Sequence, residues 1–275
     1  MKEGSGLGFP KFAFMNLNLI GKNALVCGAS QGIGAAAAFE LAQMGANVTL
    51  MARDAERLNG TLSQLSNNGQ QHHQILVADF TNNTQVQSTI TEWAMNNTVN
   101  ILINNTGGPN PGKAHEAGID EFRLAFNLHL INFQIITQAL LPKMKESGYG
   151  RIINVISTSV KQPLPNLGVS NTIRGAVANW AKTLSSELGP YGITVNNVLP
   201  GATATGRLSQ IITNKANKTG HSVDDVTEEM KKEVPLGRLA LPEEIAAGIA
   251  FLSSPAAAYI NGINLPIDGG RTLSL

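Results

Sequence analysis

Cysteine is almost missing from this chain. Cys27 stands alone among 275 residues, which excludes an internal disulfide. It lies in a short apolar run, so a small buried core residue is expected rather than a reactive thiol. Charge is sparse as well, at 14%, and it is balanced: 20 Lys and Arg face 19 Asp and Glu, a net charge of +1. That balance gives no reason to expect nucleic acid or another polyanion as partner. No uninterrupted apolar run reaches the roughly 20 residues of a membrane span, so no membrane partner is expected. Residues 1–18 are rich in glycine and phenylalanine but lack the apolar centre and cleavage site of a signal peptide. They read as an N-terminal arm, and a cytoplasmic location is expected. No metal site is expected.

What the chain does have is apolar material, 43% of residues, enough for one large core. Its most telling stretch is Asn23 to Gly34, N-A-L-V-C-G-A-S-Q-G-I-G. Ala24 to Cys27 reads as a buried strand, and the alanines from Ala35 open a helix. Gly28, Gly32 and Gly34 lie between. A helix start offers free N–H groups and a positive dipole end, and glycines let a diphosphate come close to the backbone. The spacing G-x-x-x-G-x-G is not the G-x-G-x-x-G of the common dinucleotide motif. Taken alone it fits a phosphate cradle or a packing turn equally well.

Strand-like and helix-like segments then alternate to the C-terminus, which predicts a mainly parallel sheet with helices on both faces. Strands are expected at 47–52, 74–78, 100–104, 151–156, 193–198 and 260–267. Helices are expected at 55–65, 84–95, 119–145 with a break near Pro142, 167–188 and 242–252. Residues 206–234 are polar and poorly periodic, and read as a mobile flap over a site. His72 and His73 read as a solvated surface pair. No repeat or linker divides residues 19–275, so a single domain is expected.

By its landmarks the chain resembles the short-chain dehydrogenase/reductase family. They are G-A-S-Q-G-I-G from Gly28, N-N-T-G ending at Gly107, Asn127 in F-N-L, G-R-I-I-N-V-I-S ending at Ser157, P-G-A-T-A-T from Pro200, and D-G-G at Asp268. The resemblance implies a single-domain Rossmann-type, doubly wound α/β fold: a seven-stranded parallel sheet in the order 3-2-1-4-5-6-7 with helices on both faces. It also implies a homo-oligomer, dimer or tetramer, and a nicotinamide dinucleotide across the strand ends. The implied cofactor contacts are Gly28, Ser30, Gln31, Gly32, Ile33 and Gly34 in the turn, with Asn105 and Gly107 after the fourth strand. Pro200, Gly201, Thr203 and Thr205 follow the sixth, and Asp79 and Phe80 flank the adenine. At the end of the second strand a carboxylate would favour NAD(H); Ala52 and Arg53 stand there instead. A guanidinium suits a 2′-phosphate, so NADP(H) is expected, with NAD(H) the alternative. Gln31 does not add a second basic residue there.

The family reduces carbonyls or oxidises alcohols with four side chains. A tyrosine, its pKa lowered from about 10 by a lysine, handles the proton; a serine orients the carbonyl and an asparagine holds a water. Ser157 and Asn127 match two of these. Ser170 stands at the tyrosine position and Arg174 at the lysine position, in V-S-N-T-I-R-G-A-V. A serine hydroxyl is a far weaker acid than a phenol, and an arginine does not give up its proton at neutral pH. The expected catalytic set is therefore Ser157, Asn127, Ser170 and Arg174, with Arg174 also toward the cofactor. Its substrate would be a small carbonyl or alcohol, a 3-oxoacyl thioester among the candidates. Two other readings stay open: a non-catalytic dinucleotide binder, or elimination or epimerisation with His115 or His129 as base.

Overall fold

The computed structural model describes residues 14–68 and 70–274. The expected arm falls largely on residues 1–13, outside the described residues. Seven parallel strands form one sheet in the order β3-β2-β1-β4-β5-β6-β7. They are β1 Asn23–Cys27, β2 Asn47–Ala52, β3 Gln74–Val77, β4 Ile101–Asn104, β5 Gly150–Val155, β6 Ile193–Pro200 and β7 Asn264–Ile267. Period-2 alternation sorts the side chains of β1. Ala24 and Val26 enter the core under α1 (Gly32–Gln43), α2 (Ala55–Leu62) and α9 (Pro242–Ser253). Leu25 and Cys27 enter the core on the opposite face, under α3 (Asn83–Asn96), α5 (Asn132–Ser147) and α6 (Gly168–Leu188). Covered on both sides, such strands are rich in apolar residues on both faces, which is why they are visible in the sequence as short apolar-rich runs.

A side-chain ladder runs across four strands of this sheet. Asn104 Nδ2 donates to Asn154, Asn154 Nδ2 to Asn197 and Asn197 Nδ2 to Asn264, at 2.9, 2.9 and 2.8 Å. These residues are also register partners along the strands.

Three expectations need correction. The helix from Ile119 does not break at Pro142. α4 (Ile119–Phe126) passes through a π turn, Asn127–Ile131, into α5, which runs to Ser147 with Pro142 inside. Gln138, whose carbonyl loses its partner to the proline, is exposed. By length and composition this 119–147 run is apolar enough to cross a membrane. In the fold it packs against α3 and α6, burying Phe133, Ile136, Leu140 and Met144.

The second correction concerns 206–234, which is two helices, α7 (Gly206–Thr219) and α8 (Val223–Lys232). Leu208, Ile212 and Ala216 make a one-sided stripe on α7 that closes on Val226 of α8 and on Ala202. The third concerns His73. It accepts the Val48 N–H at Nδ1, 3.1 Å, and its Nε2 lies 2.9 Å from the Ser66 carbonyl, so it ties β2 to the segment before β3. His72 is exposed, as expected.

Candidate active site

β1 ends at the point where strand order reverses, between β2 and β4, and the crevice opens there. Two glycines make the turn possible. Gly28 has φ +61°, and a Cβ on it would lie 2.7 Å from Asn105. A Cβ on Gly34 would lie 2.2 Å from the Gly28 carbonyl oxygen. Asn105 Nδ2 donates to the Cys27 and Gly28 carbonyls at 3.3 and 3.4 Å, fastening the end of β4 to this turn. No side chain caps α1, and its first turn holds no acid. Its N–H groups stay free for an anion, and the close backbone approach fits a diphosphate. Cys27 is fully buried and burial raises its thiol to about 12, so it is inert.

From that turn a cleft of about 380 Å³ runs over the C-terminal strand ends. Ser30, Gln31, Gly32, Ile33, Asn105 and Gly107 line one part. Pro200, Gly201, Thr203 and Thr205 line another, and Ser157, Ser170 and Arg174 a third. Gly201 is pressed against Asp268, where a Cβ would come within 2.7 Å of the backbone. Thr205 caps α7, accepting the Leu208 N–H. The loop after β4 is sewn to the start of α6: Gly112 donates to Asn166 at 2.7 Å, and Gly168 to Gly112 at 2.9 Å. That pairing sets the 107–112 segment beside Ser170.

Ser157 Oγ accepts the Ser159 N–H at 3.1 Å, which leaves its hydroxyl hydrogen free for the cleft. Arg174 is half-buried, and its side chain forms part of the cleft wall. Its Nη1 donates to the Val155 and Ile156 carbonyls at 3.3 and 2.7 Å, and its Nε to Ser170 Oγ at 3.2 Å. Burial, and then the charge of Arg207, pull its pKa down to about 10, so it is still charged at neutral pH.

Arg53, Asp79 and Phe80 lie at the C-terminal ends of β2 and β3, outside this cleft. Arg53 is exposed and makes no ion pair among the described residues. Asp54, its neighbour, pairs instead with Arg57 at 3.3 Å and caps α2. Asp79 is held low in pKa by the Thr81 N–H and, more weakly, by the charge of Arg53. Sequence reasoning missed Arg57, whose Nη1 reaches Gln31 Oε1 at 3.4 Å. It brings a second guanidinium to the same end of the glycine turn.

Asn127 is not at the site. It is exposed and does not line the cleft, and its backbone carbonyl accepts from Asn83 Nδ2. Two residues on, His129 is fully buried, and its Nδ1 shares a 2.8 Å hydrogen bond with Thr106, which lines the cleft. Residues two apart on a helix point to opposite sides, so only one of the pair can face the sheet. His129 opens the buried stripe of Phe133, Ile136, Leu140 and Met144, a spacing legible in the sequence. Burial, then the charge of Arg174, lower its pKa to about 3, so it is neutral. A buried neutral imidazole of that kind is a poor base. His115 is exposed beside Glu116 and does not line the cleft.

Comparison with known proteins agrees with this geometry. Residues 28–272 match the family described as enoyl-(acyl carrier protein) reductase. The chain is 30% identical over 262 residues to 7α-hydroxysteroid dehydrogenase of Escherichia coli K12, covering 94% of this chain and 98% of that one. It is 28% identical over 256 residues to the NADPH-dependent reductase BacG of Bacillus subtilis, covering 92% and 99%. The structure of L-sorbose reductase from Gluconobacter frateurii, solved with NADPH and L-sorbose, superposes with a TM-score of 0.88 at 27% identity, over 95% of this chain and 100% of that one. With the family match over residues 28–272, a 30% identical relative covered almost end to end and the seven-stranded sheet in the order 3-2-1-4-5-6-7, this chain belongs to the short-chain dehydrogenase/reductase family of oxidoreductases.

Proposed function

We propose that this protein is an NADP(H)-dependent oxidoreductase of small carbonyl or alcohol substrates in which Arg174 replaces the usual phenol and lysine as the group that steadies charge on the substrate oxygen. The observation that carries the reading is the half-buried Arg174 guanidinium in the cleft wall, fixed by the two carbonyls just before Ser157 and by Ser170. When bound, the nicotinamide supplies or accepts the hydride.

The chain's own residues do the rest. The Gly28–Gly34 turn and the start of α1 hold the diphosphate. Arg53, with Arg57 beside it, takes the 2′-phosphate, and no carboxylate ends β2 to repel it. Asp79 and Phe80 flank the adenine. Asn105, Gly107, Pro200, Gly201, Thr203 and Thr205 hold the nicotinamide half, with Arg174 toward its ribose. Ser157 donates its hydroxyl hydrogen to the substrate oxygen, and the fixed charge of Arg174 lowers the energy of the developing alkoxide. Neither serine nor arginine is acidic enough to yield a proton at neutral pH, water itself sitting at about 15.7. The proton therefore comes from solvent, passed along the Ser170 hydroxyl. Asn127 has no part in this path.

The reading takes residues 19–275 as one domain of a cytoplasmic homo-oligomer, dimer or tetramer. The exposed Leu124 and Phe126 of α4 support the oligomer, which light scattering on the purified protein tests. The function is tested by mixing the protein with NADPH and a broad panel of ketones, 3-oxoacyl thioesters included, and following nicotinamide absorbance. Consumption that depends on Ser157 is expected. No consumption anywhere in the panel overturns the reading, and activity appearing only in Ser170→Tyr with Arg174→Lys makes the natural chain a binder.

A further inference from the structure

Arg174 and Arg207 are the only charged side chains among the described residues lining the cleft. They arrive from different elements, α6 and the first turn of α7, and meet the same short segment. Arg207 Nη2 donates to the Pro109 carbonyl at 2.5 Å. Arg174 Nη2 lies against Gly108, 3.3 Å from the point where a Cβ would stand. Neither arginine enters an ion pair among the described residues. Arg174 Nη2 and the Nε and Nη1 of Arg207 have no hydrogen-bond partner among the described residues. The ion pair that Lys215 of α7 makes with Glu229 lies on the surface instead.

Two guanidinium groups sharing a partly water-excluded wall, with no carboxylate between them, repel each other. The fold keeps them together by giving them neutral acceptors, backbone carbonyls and the Ser170 hydroxyl. An oxyanion placed between them would find charge-assisted donors from both sides, in the planar geometry that carboxylates fit best. We infer that the substrate of this site carries an anionic group, in the simplest case a carboxylate, so that the protein acts on an oxo acid or hydroxy acid and Arg207 selects it. This rests on the oxidoreductase reading above. The competing anion is the cofactor's own diphosphate, because Thr205, just before α7, also packs on Gly32.

The test compares pyruvate, acetoacetate, levulinate and 4-formylbenzoate with their methyl esters, using NADPH and the wild type, Arg207→Met and Arg207→Lys. In the wild type the acids are expected to exceed their esters by about ten- to hundredfold in kcat/KM, the range of a hydrogen bond to a charged group. Arg207→Met collapses that ratio through KM, Arg207→Lys restores part of it, and calorimetric affinity for NADPH stays the same. Equal use of acids and esters overturns the inference. So does a loss of NADPH affinity in Arg207→Met as large as the loss for the acids, which would assign Arg207 to the diphosphate. If NADPH binds but nothing is turned over, the oxidoreductase reading fails on its own. The same acid and ester pairs then serve as calorimetric ligands of NADP⁺-saturated protein. Binding of acids alone, lost in Arg207→Met, supports the anion site, and no binding of acids overturns it.

Discussion

Arg174 Nε donates to Ser170 Oγ across one turn of α6, at 3.2 Å. The bond joins the two residues that the motif match puts in place of the family's acid and lysine, and the same guanidinium donates to the carbonyls of Val155 and Ile156. Neither titrates near neutrality: Arg174 loses its proton only at about 10. The protonated form is the useful one. Turnover is therefore predicted to be flat with pH through neutrality and to fall as pH rises through about 10. Arg174→Met should lower kcat/KM by about 10²–10³-fold, the range of a lost oxyanion donor. Initial rates across pH check both, and a bell centred near neutrality would show that some other acid carries the proton.

Cofactor choice is predicted to rest on two arginines rather than one. Arg53 is free of ion pairs among the described residues, and Arg57 is held at Gln31. Arg53→Ala should reduce the NADPH over NADH preference about ten- to hundredfold, and Arg57→Ala by less, because Asp54 already shares its charge. Calorimetric titration of each variant with both nucleotides decides. A preference that survives both substitutions would move the 2′-phosphate elsewhere.

His129 gives a signature in acid. An unfolded imidazole takes up a proton at about 6.5, whereas this one waits until about 3 because it is buried. Between those values the unfolded chain holds the extra proton, so the folded state loses stability as pH falls, by up to about 1.4 kcal/mol per pH unit from this group. Above about 6.5 the effect is absent. His129→Asn keeps an amide where Nδ1 meets Thr106 and removes the titration. Urea unfolding from pH 7 to pH 4 should show a shallower decline in that variant than in the wild type. Equal slopes would mean that the imidazole is not shielded from water.

Gly34 and Gly206 give an internal control. A methyl group on Gly34 collides with backbone, whereas nothing lies within 4 Å of one on Gly206. Gly34→Ala is predicted to destabilise by on the order of 2 kcal/mol or more and to abolish nucleotide binding. Gly206→Ala, at the first position of α7, should be neutral or stabilising by up to about 1 kcal/mol. Thermal denaturation with and without NADPH reads both.

How far the sequence carried can be judged residue by residue. β2 falls where it was expected, Asn47–Ala52, because five of its six residues are buried and a strand covered on both faces has no exposed face to blur its edges. The turn at Gly28 and the wall at Ser157 were legible for the same local reason. Three features were harder. The stripe Leu208, Ile212, Ala216 was present but diluted by Asn, Lys and Thr, and α7 passed for a loop. The motif match favoured Asn127, although the helical period already put His129 with Phe133 on the inner side. Arg57 at Gln31 and Arg207 at Pro109 depend on segments 26 and 98 residues apart, and no local pattern records such a meeting.

The four asparagines from Asn104 to Asn264 set a limit on how this sheet can fail. A slide of one residue between any two of those strands would swing an amide to the other face and strand its neighbours without partners in the core. Asn105, Ser157 and Pro200 each come only a few residues after a rung. The spacing of the catalytic mouth is thus measured out by buried amides below it, and damage to one rung would be felt as misalignment above before the strands themselves came apart.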